Sequence, residues 1–249
     1  MNVHDIAART YGASSDAYER GRPSYPPDAV ACVVDALSIG ASSVVVDLAA
    51  GTGKLTRLLV PTGARVVAVE PVEAMRATLV ATVPDIDVVA GAAEALPFAA
   101  GSLDALLVAQ AFHWFSVRPA LVEAARVVRH GGGLALLWNQ RDESVPWVAE
   151  LSRLMRWRDR PVPSYEDVDW AAVVGEVGAF SPLEQRAFAN EHEIDADALV
   201  DRVLSTSHIG VLASEEQAAL ADRVRQLVAG FPERFPFPHR TEVFWCHRR

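Results

Sequence analysis

The stretch SVVVDLAAGTGKLTRLL, residues 43 to 59, constrains this chain more than any other. A run of β-branched residues ends in an acid, Asp47, passes through a glycine-bearing turn and continues in a helical pattern. Strand, turn and helix in that order open a nucleotide-type α/β domain. Gly51 and Gly53 allow close backbone approach to a ligand, with the helix expected to begin near Gly53 or Lys54. Spacing then narrows the ligand. A Walker A loop needs glycine at 48 and Ser or Thr at 55, and both positions hold leucine. A G-x-G-x-x-G fingerprint aligned on Gly51 needs glycine at 49 and glycine or alanine at 54, where Ala49 and Lys54 stand. A pyrophosphate is therefore a poor candidate. The pattern that fits is acid-x-Ala-x-Gly-x-Gly, with a second acid, Glu70, closing ARVVAVEP about 20 residues on, where it can accept hydrogen bonds from ribose hydroxyls.

From residue 43 onward strands are expected near 43–48, 65–70, 86–90, 103–109 and 133–138, with helical patterns between them. Such alternation predicts a parallel sheet with helices on both faces. RHGGG at 129–133 reads as a glycine stop after the helix that carries ALVEAARVV. The rhythm changes after Asn139. Residues 140–178 hold Trp147, Trp157 and Trp170 without a strand signal and read as a helical insertion between the fifth and sixth strands. FSPLEQRAFAN supplies the sixth strand, helices follow near 196–204 and 214–229, and RTEVFWCHR supplies the last strand. The expected organisation is one domain over 1–249: an N-terminal segment 1–25, a core 26–139, the insertion 140–178 and the C-terminal part of the sheet 179–249.

Half the residues are hydrophobic, enough for a substantial core, and the net charge of −9 opposes a general nucleic-acid surface, which needs clustered Lys and Arg. Cys32 and Cys246 stand far apart without metal-ligand spacing, so no metal is expected. The N-terminus lacks a basic start followed by an apolar core, and no apolar run reaches the ~18 residues of a membrane span, which leads to the expectation of a cytoplasmic protein that uses no membrane. An exposed face of the final helices could pair two chains as a homodimer.

Taken in order, VVVDLAAGTG, VVAVEPVEAM, GAAEALPF, SLDALLVAQAFHWF and RHGGGLALLWN resemble successive motifs of the class I S-adenosylmethionine-dependent methyltransferases, specifically the type 11 small-molecule enzymes. The string QAFHWF is similar to that of trans-aconitate-type methyltransferases. The resemblance implies a Rossmann-like seven-stranded mixed sheet whose last strand enters antiparallel, with S-adenosyl-L-methionine as cofactor and S-adenosyl-L-homocysteine as product.

It also implies roles for residues. Asp47, Ala49, Gly51 and Gly53 would surround the methionine part of the donor, Glu70 its ribose, and the backbone of Ala92 and Ala93 its adenine, with Pro71 and Gln110 as further donor contacts. Tyr18 and Arg22 belong to a segment resembling the family's lid, Arg22 facing the donor's carboxylate; Tyr25, His113, Trp114 and Trp138 would face the acceptor. His113 is the catalytic candidate. An ordinary histidine titrates near pH 6.5, so it could take a proton from a hydroxyl acceptor or orient a carboxylate that needs no base. Arg153, Arg156, Arg158 and Arg160 around Trp157 could attract an anionic substrate. Ala92 stands where many relatives carry an acid. A non-catalytic donor-binding or scaffold protein is the alternative of a different class. A nucleic-acid or protein methyltransferase is opposed by the acidic balance and by the absence of a [DNS]PP[YF] string after the fourth strand.

Overall fold

The computed structural model describes residues 19, 21–160 and 164–249. Tyr18, expected in the lid, lies outside the described residues. The strands are β1 (Val44–Leu48), β2 (Arg65–Val69), β3 (Asp87–Val89), β4 (Leu103–Ala109), β5 (Val128–Arg141), β6 (Glu184–Ile194) and β7 (Phe235–His247). The helices are α1 (Pro27–Ala36), α2 (Thr56–Leu59), α3 (Glu73–Thr82), α4 (Val117–Val127), α5 (Pro146–Leu154), α6 (Trp170–Val177), α7 (Ala196–Leu204) and α8 (Ser214–Leu227).

The seven strands form one sheet in the order β3-β2-β1-β4-β5-β7-β6. Val46 of β1 stands opposite Val67 of β2 on one side and Leu106 of β4 on the other, and β4 pairs in parallel with β5. β7 is the antiparallel member: Gly131 N–H donates to the Arg248 carbonyl, and Arg248 N–H to that of Gly132. The chain leaves β1 toward β2 and β3, then returns to place β4 on the other flank. The strand order thus reverses between β1 and β4, where α/β sheets open a crevice at their carboxyl ends.

The chain forms two compact units, and each has its own core. The sheet unit comprises Tyr25–Trp138, Ser164–Phe188 and Thr241–Arg249. Successive strand residues point to opposite faces, which explains why its core splits in two. Val46, Leu48, Val67, Leu106, Val108 and Leu136 pack on one face with Ala120, Leu121 and Ala124 of α4 and Trp170 and Val174 of α6. Val45, Val66, Ala105, Leu107 and Leu137 pack on the other with Ala29, Val30 and Val33 of α1 and Leu59 of α2. β1 and β4 are buried on both faces, so their apolar runs are nearly continuous rather than alternating. Cys246 is buried here, and burial pushes its thiol up to about 12.

The insertion unit contains, of the described residues, 19, 21–24, 139–160 and 189–240. Val148 and Leu151 of α5, Leu199 and Val203 of α7, and Val224 of α8 close around Phe237. Trp147 meets Phe231 and Phe235 edge-on and Phe237 at a tilt of 43°.

Several boundaries differ from those expected. β5 begins at Val128 and reaches Arg141 rather than covering 133–138, because pairing with Arg248 carries the strand through the glycine run, where Gly131 turns to φ +74° and the register against β4 shifts as at a bulge. β6 covers Glu184–Ile194 rather than starting at Phe180, which makes only an isolated bridge to Arg248. Residues 164–178, expected in the insertion, belong to the sheet unit, where Trp170 stacks on Trp138 with centroids 5.1 Å apart. The first helix after the glycine turn starts at Thr56, since Gly53 has φ +87°, outside the helical region.

Candidate active site

The loop after β1 is held by its own backbone. Ala50 N–H donates to the Val69 carbonyl of β2, and Gly53 N–H to that of Ala50. This brings the two acids singled out in the sequence into one electrostatic neighbourhood. Asp47, 1% exposed, accepts a 2.6 Å hydrogen bond from Thr56 Oγ1 on Oδ2, while its Oδ1 is buried without a hydrogen-bond partner. Burial pushes the Asp47 carboxyl up to about 7, against the Thr56 hydrogen bond and helped by the charge of Glu70. Glu70 accepts from Gly51 N–H at 2.9 Å on Oε2 and from Val72 N–H at 2.8 Å on Oε1. Burial raises its carboxyl above the usual range, with those N–H groups and Arg76 opposing.

Backbone strain gathers at the same place. Ala49 has φ +55° and Gln110 φ +61°, left-handed conformations that non-glycine residues adopt at a cost of about 1–2 kcal/mol each. They follow β1 and β4, whose Leu48 and Val108 are register partners. The strained pair therefore flanks the point where the strand order reverses. The glycines divide their work. Gly51, φ +58°, has open space where a Cβ would stand, so conformation is its requirement. A Cβ on Gly53 would stand 2.9 Å from Val83 Cγ2 and 3.1 Å from Leu79 Cγ, so packing against α3 adds a steric demand to the one its φ of +87° makes.

Beyond Gln110 the chain makes a short 3-10 turn, Phe112–Trp114. Phe112 anchors it, 1% exposed and edge-on to Phe115 and Trp170. His113 is half-buried, and its Nδ1 receives the indole N–H of Trp138 at 3.2 Å. Trp138 is itself stacked on Tyr165 and Trp170 and met edge-on by Phe244. An indole nitrogen can only donate, so Nδ1 of His113 is the acceptor and the ring hydrogen sits on Nε2. Trp114 is 9% exposed, with its ring 5.2 Å from that of His113.

Other expected site residues are dispersed. Tyr25 and Trp138, expected to face an acceptor, are 7% and 1% exposed and belong to the two faces of the sheet core. Ala93 is buried against the core, Ala92 and Pro71 are exposed, and Arg22 is half-buried in the insertion unit. Glu94 accepts from Ser116 N–H at 2.7 Å, tying the loop to the start of α4. Thr56, missed in the sequence, had one available signal: a short hydroxyl side chain among Leu55, Leu58 and Leu59 behind the glycine turn.

Among solved structures the chain superposes on the YcgJ protein of Bacillus subtilis with a TM-score of 0.60 at 20% identity, covering 89% of this chain and 98% of that one. It also superposes on phosphoethanolamine N-methyltransferase 2 of Haemonchus contortus, solved with S-adenosylhomocysteine, with a TM-score of 0.61 at 12% identity over 100% of this chain and 60% of that one. These define the class I methyltransferase fold. Residues 46–136 match the methyltransferase domain family, and an uncharacterized methyltransferase of Mycobacterium tuberculosis is 40% identical over 223 residues, 90% of this chain and 87% of that one. The chain belongs to the type 11 family of S-adenosylmethionine-dependent methyltransferases.

The residues present fit that cofactor chemically. A sulfonium and an ammonium bring positive charge, and Asp47 and Glu70 are buried carboxylates raised by desolvation, one with an unpaired oxygen. Among the described residues no group of three or more His, Cys, Asp or Glu side chains could hold a metal, and no helix is long and apolar enough to cross a membrane.

Proposed function

We propose that the protein methylates a carboxylate oxygen of a small molecule, with His113 as a hydrogen-bond donor to the acceptor rather than as a base. The observation that carries this reading is the hydrogen bond from Trp138 to His113 Nδ1. The nitrogen that could take a proton is engaged by a donor, and the other carries hydrogen. A carboxylate requires no deprotonation before attack and matches an N–H donor, whereas a neutral hydroxyl would need the lone pair that Trp138 occupies.

In this reading Glu70 holds the ribose hydroxyls with lone pairs left over from its two backbone N–H groups, and Pro71, Ala92 and Ala93 border the adenine. Asp47, through Oδ1, together with Ala49, Gly51 and Gly53 surrounds the methionine part. Gln110 presents its side chain beside the donor from the strained turn after β4. Tyr18 and Arg22 carry their donor roles, and Tyr25 its acceptor role, on the resemblance alone. Bound S-adenosylmethionine supplies a methyl group that a carboxylate oxygen accepts in one in-line displacement. Trp114 and His113 orient the acceptor, and Trp138 acts behind His113.

The test is turnover with small carboxylic acids across about pH 6–8 at saturating S-adenosylmethionine, so that ionisation of Asp47 does not enter the profile. A flat profile, with activity kept in His113→Gln and lost in His113→Ala, is expected, because a glutamine amide still donates. A rate that climbs through the histidine range, and falls equally in both variants, would identify a base and a hydroxyl acceptor.

A further inference from the structure

Residues 90–102, between β3 and β4, belong to no strand or helix, so their backbone groups must find partners elsewhere. Glu70 N–H donates to the Val89 carbonyl at 3.0 Å, so the stretch departs beside the acid assigned to the ribose. Within it the backbone closes short turns: Ala95 N–H donates to the Ala92 carbonyl at 3.1 Å, and Phe98 N–H to that of Leu96 at 2.8 Å. Ala93 and Leu96 are buried in the sheet core, and Ala92 is exposed.

From outside, the stretch is held by one side of α4. Ser116 N–H, at the start of that helix, donates to Glu94 Oε1 at 2.7 Å. About two turns further along, Glu123 Oε1 accepts from Leu96 N–H at 2.7 Å. Arg126 donates from Nη2 to the Leu96 carbonyl at 3.1 Å and from Nη1 to the Phe98 carbonyl at 2.8 Å. The two side chains also pair with each other, Arg126 Nε with Glu123 Oε2 at 2.8 Å and Nη2 with Oε1 at 2.7 Å, and this holds the Glu123 carboxyl below the usual range. As a surface ion pair it would contribute little. Its consequence lies in the backbone it grips. In an antiparallel sheet a neighbouring strand would satisfy both the N–H and the carbonyl of Leu96, and here two side chains of one helix do so.

We propose that Glu123 and Arg126 are positioning residues for the donor's base, fixing the backbone of 92–98 so that it selects adenine. The inference rests on the reading that Ala92 and Ala93 border the adenine. Ala92 offers no side-chain acceptor to the exocyclic amine, so backbone groups must read the base, and they discriminate while the backbone is held in place. Hypoxanthine carries a carbonyl where adenine has its amine, and an N–H where adenine has an acceptor. A fixed set of backbone donors and acceptors that suits one base therefore opposes the other. Neither side chain needs to touch the donor, because both act through Leu96 and Phe98.

Titration calorimetry on the full chain tests this with S-adenosylhomocysteine and S-inosylhomocysteine, the same molecule with hypoxanthine for adenine. The wild type is expected to favour the adenine ligand at least about ten-fold. Arg126→Met and Glu123→Ala should each cut that preference about five-fold or more, the loss falling on the adenine ligand, whereas a merely structural role would lower both affinities alike. Arg126 is exposed, so its variant keeps the test decisive if Glu123→Ala misfolds. Ala92→Asp checks the underlying reading separately. A carboxylate there accepts from the adenine amine and repels the hypoxanthine carbonyl, so the preference should rise about ten-fold. If it rises in Ala92→Asp while Arg126→Met and Glu123→Ala leave it unchanged, or weaken both ligands equally, the positioning role is overturned and the adenine placement stands. A preference absent from the wild type overturns the selection of adenine, and one indifferent to Ala92→Asp removes the adenine from this stretch and the proposal with it.

Discussion

The indole N–H of Trp138 is hydrogen-bonded to Nδ1 of His113 across 3.2 Å, and the indole is stacked on both Tyr165 and Trp170. This fixes which nitrogen of His113 carries its hydrogen. Trp138→Phe keeps an aromatic ring in the stack and removes the donor. It is expected to lower stability by about 1–3 kcal/mol through the lost hydrogen bond and lost area. The sharper readout is the nitrogen spectrum of the imidazole: His113 should pass from a single Nε2–H tautomer to a mixture. A spectrum unchanged by the substitution would show that Trp138 does not set the tautomer, and the argument for a carboxylate acceptor would go with it.

Asp47 links stability to pH with a sign opposite to that of an ion-paired acid. Its carboxyl is pushed up to about 7 in the folded chain, above the ordinary aspartate value in the unfolded one. Between about pH 4 and 7 the folded state therefore holds the proton more tightly, and folding loses stability as pH rises, by up to about 4 kcal/mol in total. His239, lowered to about 3 by burial and the Arg202 charge, imposes the reverse slope from about pH 3 to 6.5, because the unfolded chain binds that proton. The two nearly cancel where they overlap, so the difference between wild type and Asp47→Asn is the informative curve. Asp47→Asn should gain on wild type from about pH 4 to 7 and then level off, as followed by urea unfolding. Its affinity for S-adenosylmethionine should fall, while wild-type affinity should rise with pH through about 7 as the carboxylate ionises. A pH-independent difference in stability would show that Asp47 is ionised throughout.

The turn residues separate conformational from steric demands. Gly51→Ala meets open space and pays only for φ +58°, about 1 kcal/mol. Gly53→Ala combines φ +87° with a Cβ 2.9 Å from Val83 and is expected to cost at least about 2 kcal/mol. Ala49→Gly relieves φ +55° and should leave stability unchanged or raise it by about 1 kcal/mol. Thermal unfolding of the three variants checks the order. A Gly53 variant as stable as the Gly51 variant would show that α3 yields.

The sheet was legible because β-branched runs such as VVVDL must be buried on both faces, and that requirement survives any detail of packing. Asp47 and Glu70 were legible because each ends such a run. The helical insertion was less so. Trp147, Trp157 and Trp170 look alike in sequence, yet Trp170 packs on the sheet while Trp147 and Trp157 belong to the other unit. Hydrophobicity says that a side chain is buried without saying against what. The same limit hid the histidine tautomers, since the partner of His113 stands 25 positions away and that of His208 stands 53 away.

Glu70 offers the most direct check on the donor site. Both its oxygens accept backbone N–H groups, from Gly51 and Val72. In Glu70→Gln one of those N–H groups must face the amide NH2, so a donor meets a donor in a buried setting. The substitution keeps the volume and should still cost about 1–3 kcal/mol of stability, loosening the loop that carries Gly51. S-adenosylmethionine affinity should fall at least about ten-fold, because an amide also accepts ribose hydroxyls poorly and removes a negative charge. Glu70→Asp keeps the charge but is too short to span both N–H groups, so it should lose stability with a smaller loss of affinity. Calorimetric titration paired with thermal unfolding distinguishes the two effects. Full affinity in Glu70→Gln would leave Glu70 with the loop alone and remove it from the donor site.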